Sequence, residues 1–454
     1  MSLTSCMLHA VQRTDRSVYL TSDLAKALRL TGTKSITVKV GSKGTTLPVR
    51  LIKKSGQHMY IPLSLMASLR IPRTGNVLVV NTNNKELRIG PLIGVLTNVE
   101  SGTSPFGSKT GFIRQVINTG SNRSFSFAFS PRNVNWVQET VSGIIPKEGG
   151  GWTRKTFPLP DVIYNRLSSR KAEKSAGMEG FKNRFVQRGI PIFNWSFFDK
   201  WDVYKMLDGD EAFRFVPESK INPTAEQIKE MLDKHKFIYL KPTAGSLGIG
   251  IYRVTYNPKR GYFVRYRKAN KNVLIRYAKF EGLMQMLGTG RGRLSHYVAQ
   301  QGIRLIEIDN CPIDFRFHLT KNGSNQWVVA AIGAKKSGKG SVTTHIRNGG
   351  QLMTPEQVLR IIYGTRAESI LDNAKETAIK LAQGIENNYN HLLGELGFDI
   401  GIDQNEKVWM FEANAKPGRS IFKHPSLKDG DAATIQSVYE HCLYLSRFRS
   451  RREN

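Results

Sequence analysis

The chain has 454 residues, 40% of them hydrophobic and 9% aromatic, with a formal net charge of +31 at pH 7. That length predicts two or three globular domains, and the charge calls for an acidic partner: nucleic acid, an anionic membrane surface, an acidic polymer or an acidic protein. No apolar run is long enough to span a bilayer, no secretory signal is read before Arg13, Asp15 and Arg16, and Cys6, Cys311 and Cys442 are too scattered for a disulfide framework or a CxxC metal site, so a cytoplasmic protein is expected.

The first 90 residues hold an internal repeat. Val18-Tyr19-Leu20, Leu24 and Leu28-Arg29-Leu30 recur 41 residues later as Met59-Tyr60-Ile61, Leu65 and Leu69-Arg70-Ile71. Each copy continues into a β-rich stretch, Ile36–Val40 and Val77–Val80, so each unit reads strand, short helix, strand. Two such units can close a small pseudo-symmetric barrel, which removes exposed sheet edges. Residues 1–89 are therefore expected to be a β-rich duplicated domain without catalytic groups, suited to partner binding or tethering.

Residues 90–196 read as a small α/β domain. Its expected strands are Leu92–Leu96, Val134–Val137 and Asp161–Arg166, and Gly149-Gly150-Gly151 marks a turn. Signals become denser over 197–446. Asp199–Leu207 and Thr224–His235 read as helices, Phe237–Leu240 as a strand ending on Lys241, and a strand-rich basic stretch runs to Tyr277. A long helix is expected over Glu368–Leu396, stopped by Gly397. Two strands follow, Phe398–Ile402 and Lys407–Glu412. The tail, 447–454, carries four arginines and is expected to be solvated.

Three constellations carry chemistry. In the first, an apolar strand delivers Lys241 into a loop containing Gly245, Ser246, Gly248 and Gly250. Glycines let backbone N–H groups approach phosphate oxygens, and a fixed lysine adds charge. This is neither a P-loop nor a dinucleotide fingerprint; the bland alternative is a glycine-rich hairpin with a surface lysine. In the second, Glu412 and Asn414 alternate onto one strand face, and a hairpin partner brings Asp399 to them. Two carboxylates and an amide oxygen suit one or two Mg²⁺ ions; the alternative is a polar strand end before the Pro417-Gly418 turn. In the third, Asp314 and Arg316 share a strand face and the next strand brings Lys335 and Lys336. Such a cationic wall would suit triphosphate and acyl phosphate charge.

In order and spacing, the segments FDKWDVYKML, YLKPTAGSLGIGIYRV, YVAQQGIRL, PIDFRFHL, GFDIGID and VWMFEANAKPG resemble the ATP-grasp superfamily, and within it the endospore coat-associated YheC/YheD family. The resemblance covers about residues 90–440. It implies an α/β (α+β) ATP-grasp fold, preceded by the small α/β domain and the barrel-like domain, and an ATP-dependent ligase. It also implies roles. Lys241 contacts the ATP phosphates, the glycine loop closes over them, and Lys200 stands near the nucleotide. Gln300, Gln301, Gly302 and Ile303 form the inter-lobe hinge that reads adenine. Asp314 and Arg316 belong to the D-x-R strand. Asp399, Glu412 and Asn414 hold the metal. The sequence departs from the family where an arginine is common after the strand at Val328. It offers Lys335 or Lys336, which supply charge without a bidentate fork. His345 stands where the pattern has an asparagine before Gly349-Gly350.

Residues 241–310 hold thirteen Lys/Arg and three Asp/Glu. Arg253, Lys259, Arg260, Arg265, Arg267, Lys268 and Lys271 alternate with Tyr252, Tyr256, Tyr262, Phe263 and Tyr266, a pattern that single-stranded nucleic acid or a hairpin with aromatics inward would explain. No RRM, KH, zinc or helix-turn-helix pattern supports nucleic acid. Three readings stand: a carboxylate–amine (or carboxylate–thiol) ligase acting through an acyl phosphate on an acidic peptide, protein or polymer; a structural spore-coat protein that binds ATP without turnover; and a nucleic-acid-binding protein. The first two imply a place at the forespore surface or spore coat. Oligomeric state is not legible.

Overall fold

A computed structural model describes residues 1–82, 86–100, 102–243, 250–268, 271–288, 293–341 and 350–449. The duplicated segment builds a closed barrel. Its elements are β1 (Ser2–Val11), β2 (Val18–Thr21), α1 (Ser22–Ala27), β3 (Ser35–Val40), β4 (Lys43–Ile52), β5 (His58–Pro62), α2 (Leu63–Leu69), β6 (Gly75–Thr82) and β7 (Glu86–Gly90). The order around it is β1-β5-β2-β4-β3-β7-β6. β2 and β5 pair antiparallel with Tyr19 opposite Tyr60, so the two copies meet about a local two-fold. Each short helix ends the same way. Arg29 and Arg70 adopt left-handed φ of 57° and 53°. Leu30 N–H then bonds Ala25 O at 2.8 Å, and Ile71 N–H bonds Met66 O at 2.9 Å.

The second sheet comprises β8 (Leu92–Leu96), β9 (Phe125–Phe129), β10 (Val134–Asn135), β11 (Thr140–Pro146), β12 (Trp152–Pro158), β13 (Val162–Asn165) and β14 (Ile192–Phe193), with α3 (Thr110–Asn118), α4 (Arg170–Glu173) and α5 (Ala176–Val186) between them. β9, β8, β13 and β14 are mutually parallel. β8 and β13 are buried along their whole length, as a parallel strand covered on both faces requires. One face shares a continuous apolar core with the barrel, through Leu92, Phe127, Ile163 and the barrel's Leu24 and Val38. The other packs on α3 and on the distant C-terminal helix through Ile93, Val95, Ile113, Ile435 and Val438.

Two antiparallel sheets follow. The first contains β15 (Ser219–Ile221), β16 (Phe237–Pro242), β17 (Tyr252–Asn257), β18 (Gly261–Lys268), β19 (Lys271–Tyr277) and β20 (Tyr297–Gln301), in the order β15-β20-β16-β17-β18-β19. α6 (Lys200–Leu207) and α7 (Ala225–His235) precede β16, and α8 (Phe280–Leu287) follows β19. α7 and α8 cover one face. The second is β24-β23-β22-β25-β26, with β21 (Glu307–Ile308) beside β22. Its strands are β22 (Cys311–Lys321), β23 (Trp327–Lys336), β24 (Gln351–Met353), β25 (Glu395–Ile402) and β26 (Val408–Asn414). α9 (Pro355–Tyr363) and α10 (Ala367–Asn387) pack on one face, and α11 (Lys428–Leu445) completes the chain.

Four expectations change. The long helix stops at Asn387, and Gly397 lies inside β25. Tertiary bonds override the apolar spacing there: Asn194 accepts from the N–H groups of Gly394 and Glu395, and its own N–H bonds Leu392 O. The strand at Val134 ends after Asn135, whose side chain accepts from the N–H groups of Val137 and Gln138 and turns the chain. Phe263 lies opposite Arg276, on the basic face rather than with the inward tyrosines. The tail is docked. Phe448 is buried against Leu78 and Val80, and Arg88 stacks on its ring while donating to Ser446 O at 2.9 Å. Arg88 also pairs with Asp161 at 2.6 Å, tying the tail to barrel and second sheet together. Phe448→Ala should cost about 3–5 kcal/mol of stability, read as a lower guanidinium midpoint; an unchanged midpoint would argue that Phe448 is not docked.

Candidate active site

The end of β16 and the end of β26 face each other across a cleft. Lys241, Gln300 and Val298 line one wall, and Met410, Phe411 and Glu412 line the other. Trp201 and Tyr204 of α6, stacked at 4.7 Å, close one end. Lys241 Nζ donates to Gln300 Oε1 at 2.5 Å and lies 5.7 Å from the centre of the Phe411 ring. Gly250 is exposed, with φ of 75°. Gly245, Ser246, Gly248, His345 and Gly349 lie outside the described residues, as does the side chain of Lys200, which opens α6. In the expected hinge, Gln301 N–H bonds Glu218 O and Gly302 N–H bonds Phe237 O. Those two amides are therefore committed to backbone. A Cβ on Gly302 would meet the Phe237 ring at 2.1 Å, so only glycine fits that crossing. Ile303 follows on the link to β21, half-buried.

The register of the last sheet assembles a row of charges on one face. Arg316 pairs with Asp399, which pairs with Glu412; Asp314 pairs with Lys335; Gly397 pairs with Asn414. Arg316 grips Asp399 with Nε at 3.0 Å and Nη2 at 3.1 Å. Lys335 Nζ adds a bond to Asp399 at 2.9 Å and lies 3.4 Å from Asp314. Burial opposes charge on Asp399, but Arg316 and Lys335 outweigh it and hold its pKa down to about 2. Burial likewise opposes charge on Lys335, and Asp314 and Asp399 outweigh it, leaving its pKa raised. Lys336 does not join them. It pairs with Ile313 on the opposite face, and its ammonium binds Asp309. Adjacent strand residues point to opposite faces, so only one of the two lysines can face Asp399.

The register puts three oxygen-bearing side chains, of Asp399, Glu412 and Asn414, on this face. Glu412 and Asn414 have no side-chain hydrogen bond or ion pair among the described residues, and Asp399 keeps lone pairs beyond its two cations. Hard carboxylate and amide oxygens of this kind, two of the three side chains without partners among the described residues, suit Mg²⁺.

A second charged knot lies further along the same face, where β25 begins. Glu395 has no exposed surface. It accepts from Tyr164 OH at 2.6 Å, Arg166 Nη1 at 2.8 Å and His318 Nε2 at 2.7 Å, with Arg419 Nη1 at 3.5 Å. Burial disfavours its charge, yet Arg166, His318 and Arg419 hold its pKa well below the usual carboxylate range. A buried Lys416–Glu173 pair sits nearby.

Sequence comparison now gives the assembly a family. The family described as YheC/D like ATP-grasp matches residues 189–445. The chain belongs to the YheC/D-like ATP-grasp family. It is 34% identical over 414 residues to the endospore coat-associated protein YheD of Bacillus subtilis (strain 168), covering 89% of this chain and 90% of that protein. Identity to YheC of the same organism is 24% over 281 residues, covering 59% and 73%. A D-alanine–D-alanine ligase from Bacillus anthracis, solved with ATP, has 11% identity and a TM-score of 0.45, covering 79% of this chain and 98% of that one.

In this YheC/D-like chain the Glu395 knot is what reading by motif missed. Its signal was present as Tyr164-Asn165-Arg166 closing an apolar strand, and as His318 inside an otherwise apolar run. Glu395 itself was hidden in the overextended helix. Because its folded pKa is depressed, its pairing contributes stability above the unfolded value of about 4.3 and loses it as pH falls below. Glu395→Gln should cost about 3–5 kcal/mol at pH 7 by stranding Arg166. Denaturant midpoints measured from pH 6 down to pH 2.5 should fall less steeply for the variant than for the parent.

Proposed function

We propose that this chain is an ATP-dependent carboxylate–amine ligase that works through an acyl phosphate, on an acidic peptide, protein or polymer at the spore coat or forespore surface. The observation that carries the reading is the alignment across the cleft: Lys241 on one wall, Glu412 on the other, and the Arg316–Asp399–Lys335 cluster on the same sheet face as Glu412. Lys241 holds the ATP phosphates. A substrate carboxylate oxygen attacks the γ-phosphorus, the bond to the β-phosphate oxygen breaks, and ADP leaves. Arg316 has a buried Nη1 without a hydrogen-bond partner among the described residues, available to the charge on the transferring phosphoryl group. Phosphoryl transfer depends mainly on such positioning and electrostatics. An amine then attacks the acyl carbon, phosphate leaves, and the amine proton passes to solvent. Asp399, Glu412 and Asn414 would hold one or two Mg²⁺ ions, whose charge would offset that of the phosphates.

Two further features support an acidic substrate. No Asp or Glu occurs between Phe237 and Phe280. Arg253, Arg265, Arg267 and Arg276 share the face of Lys241, away from α7 and α8. The curated relatives carry the name endospore coat-associated, which supports the proposed location.

Lys241→Ala should weaken Mg-ATP binding about tenfold or more by calorimetry. Arg316→Ala should lower substrate-dependent ADP release by about 10²–10³-fold. Preference for glutamate-rich acceptors should fade as salt rises, since exposed charges are screened over about 8 Å at physiological ionic strength. ATP binding with no ADP and no amide product, across amino acids and acidic peptides with Mg²⁺ or Mn²⁺, would instead favour a coat component that binds nucleotide without turnover.

A further inference from the structure

Between α3 and the sheet face that carries Arg316 stands a group of cations with too few anions. Arg166 is spent on Glu395 and on Pro417 O, at 2.8 and 3.2 Å, but its buried Nε has no partner among the described residues. Arg419 is spent on Asp431, with Nε at 2.8 Å, and reaches Glu395 at 3.5 Å. Both guanidinium groups stack on Phe112, at 5.1 and 4.8 Å from the ring centre. Lys109 stands three residues before Phe112, at the N-cap of α3, so it lies on the same side of that helix. It is half-buried and has no ion pair or side-chain hydrogen bond among the described residues. His318 lends little charge, because burial lowers its pKa. Glu395 and Asp431 thus balance Arg166 and Arg419, and Lys109 remains in excess. Glu173 is taken by Lys416, and Glu100, which rests against Gly107, is not paired with Lys109.

This excess lies close to the reaction centre. Arg166 holds the carbonyl of Pro417, and Pro417 packs on Gly397. A Cβ on Gly397 would stand 2.4 Å from Pro417 Cβ and 3.2 Å from Arg316 Nη1. Only glycine therefore leaves room where the two arginines flank the Pro417 turn.

We propose that Lys109 and Arg166 bind a second carboxylate of the substrate whose first carboxylate is phosphorylated beside Arg316, so that the substrate is a dicarboxylate. The assignment rests on the ligase reading for the role of the first carboxylate, and on the cation group alone for the binding of the second. A dicarboxylate with a short methylene spacer can come as a free acid or as a glutamyl unit of a chain. Either would neutralise Lys109 and satisfy the unpartnered Arg166 nitrogen. Burial, and then repulsion from Arg166, bring the Lys109 pKa down to about 8. A bound anion would raise it again.

That change gives a readout independent of turnover. At pH 8 about half of Lys109 would be neutral, against roughly 0.4% of an ordinary lysine. Acetylation of the full chain, read by mass spectrometry, should therefore mark Lys109 early. Glutarate should protect it and butyrate should not. A blocked glutamyl peptide and its glutaminyl counterpart repeat the comparison for a chain-borne source. Lys109→Gln should weaken glutarate binding about tenfold or more, with Mg-ATP binding kept as the folding control. Equal protection by glutarate and butyrate, or unaltered glutarate affinity in Lys109→Gln, overturns the site. Protection without ADP release under any condition supports the site and counts against the ligase reading. ADP release that favours monocarboxylates, with Lys109 unprotected, keeps the ligase and discards the site.

Discussion

Glu395, itself without exposed surface, joins four side chains from three parts of the chain. Tyr164 and Arg166 come from the end of β13, His318 from β22 and Arg419 from the segment after β26. A lone carboxylate in that position would be expelled or protonated. With Arg166 beside it, the charge persists and ties the end of β13 to the start of β25. Asn194 clamps the same strand end through backbone: it accepts from Gly394 and Glu395 and donates to the Glu395 and Ala415 carbonyls. Asp399 lies four residues along the same strand, on the same face. The charged row therefore inherits its position from the buried knot at the start of its own strand.

Much of this was legible because strand alternation is strict. Asp314 and Arg316, Glu412 and Asn414 were put on shared faces by their spacing alone, and the sheet register then aligned Arg316, Asp399 and Glu412. The barrel was legible because a 41-residue repeat is itself a topology, down to the arginine that ends each short helix. What spacing could not supply was the pairing of distant polar groups. Leu392, Leu393 and Leu396 keep helical rhythm past Asn387, but Asn194, some 200 residues away, claims that backbone. Lys335 and Lys336 were indistinguishable until the register set their faces. Phe448 looked like one aromatic among tail arginines until β6 and β7 gave it a pocket.

The net charge and the site charge are separate matters. Around Asp399 the cations and carboxylates nearly cancel, which is what low-dielectric packing demands. The surplus that makes +31 accumulates elsewhere, including the acid-free strands β16 to β19. Bulk charge of that sort steers encounter over a Debye length, whereas the few buried ions decide geometry.

The packing of α11 on the second sheet has a consequence for biosynthesis. Ile93 and Val95 leave the ribosome early, yet the helix that covers them with Ile435 and Val438 begins at Lys428. At ~5–20 residues per second the intervening stretch takes on the order of 15–70 s to translate. Through that interval the nascent sheet has α3 on that face but lacks its second cover, a bare apolar strip that invites a chaperone or a neighbouring polysome product before its own helix arrives.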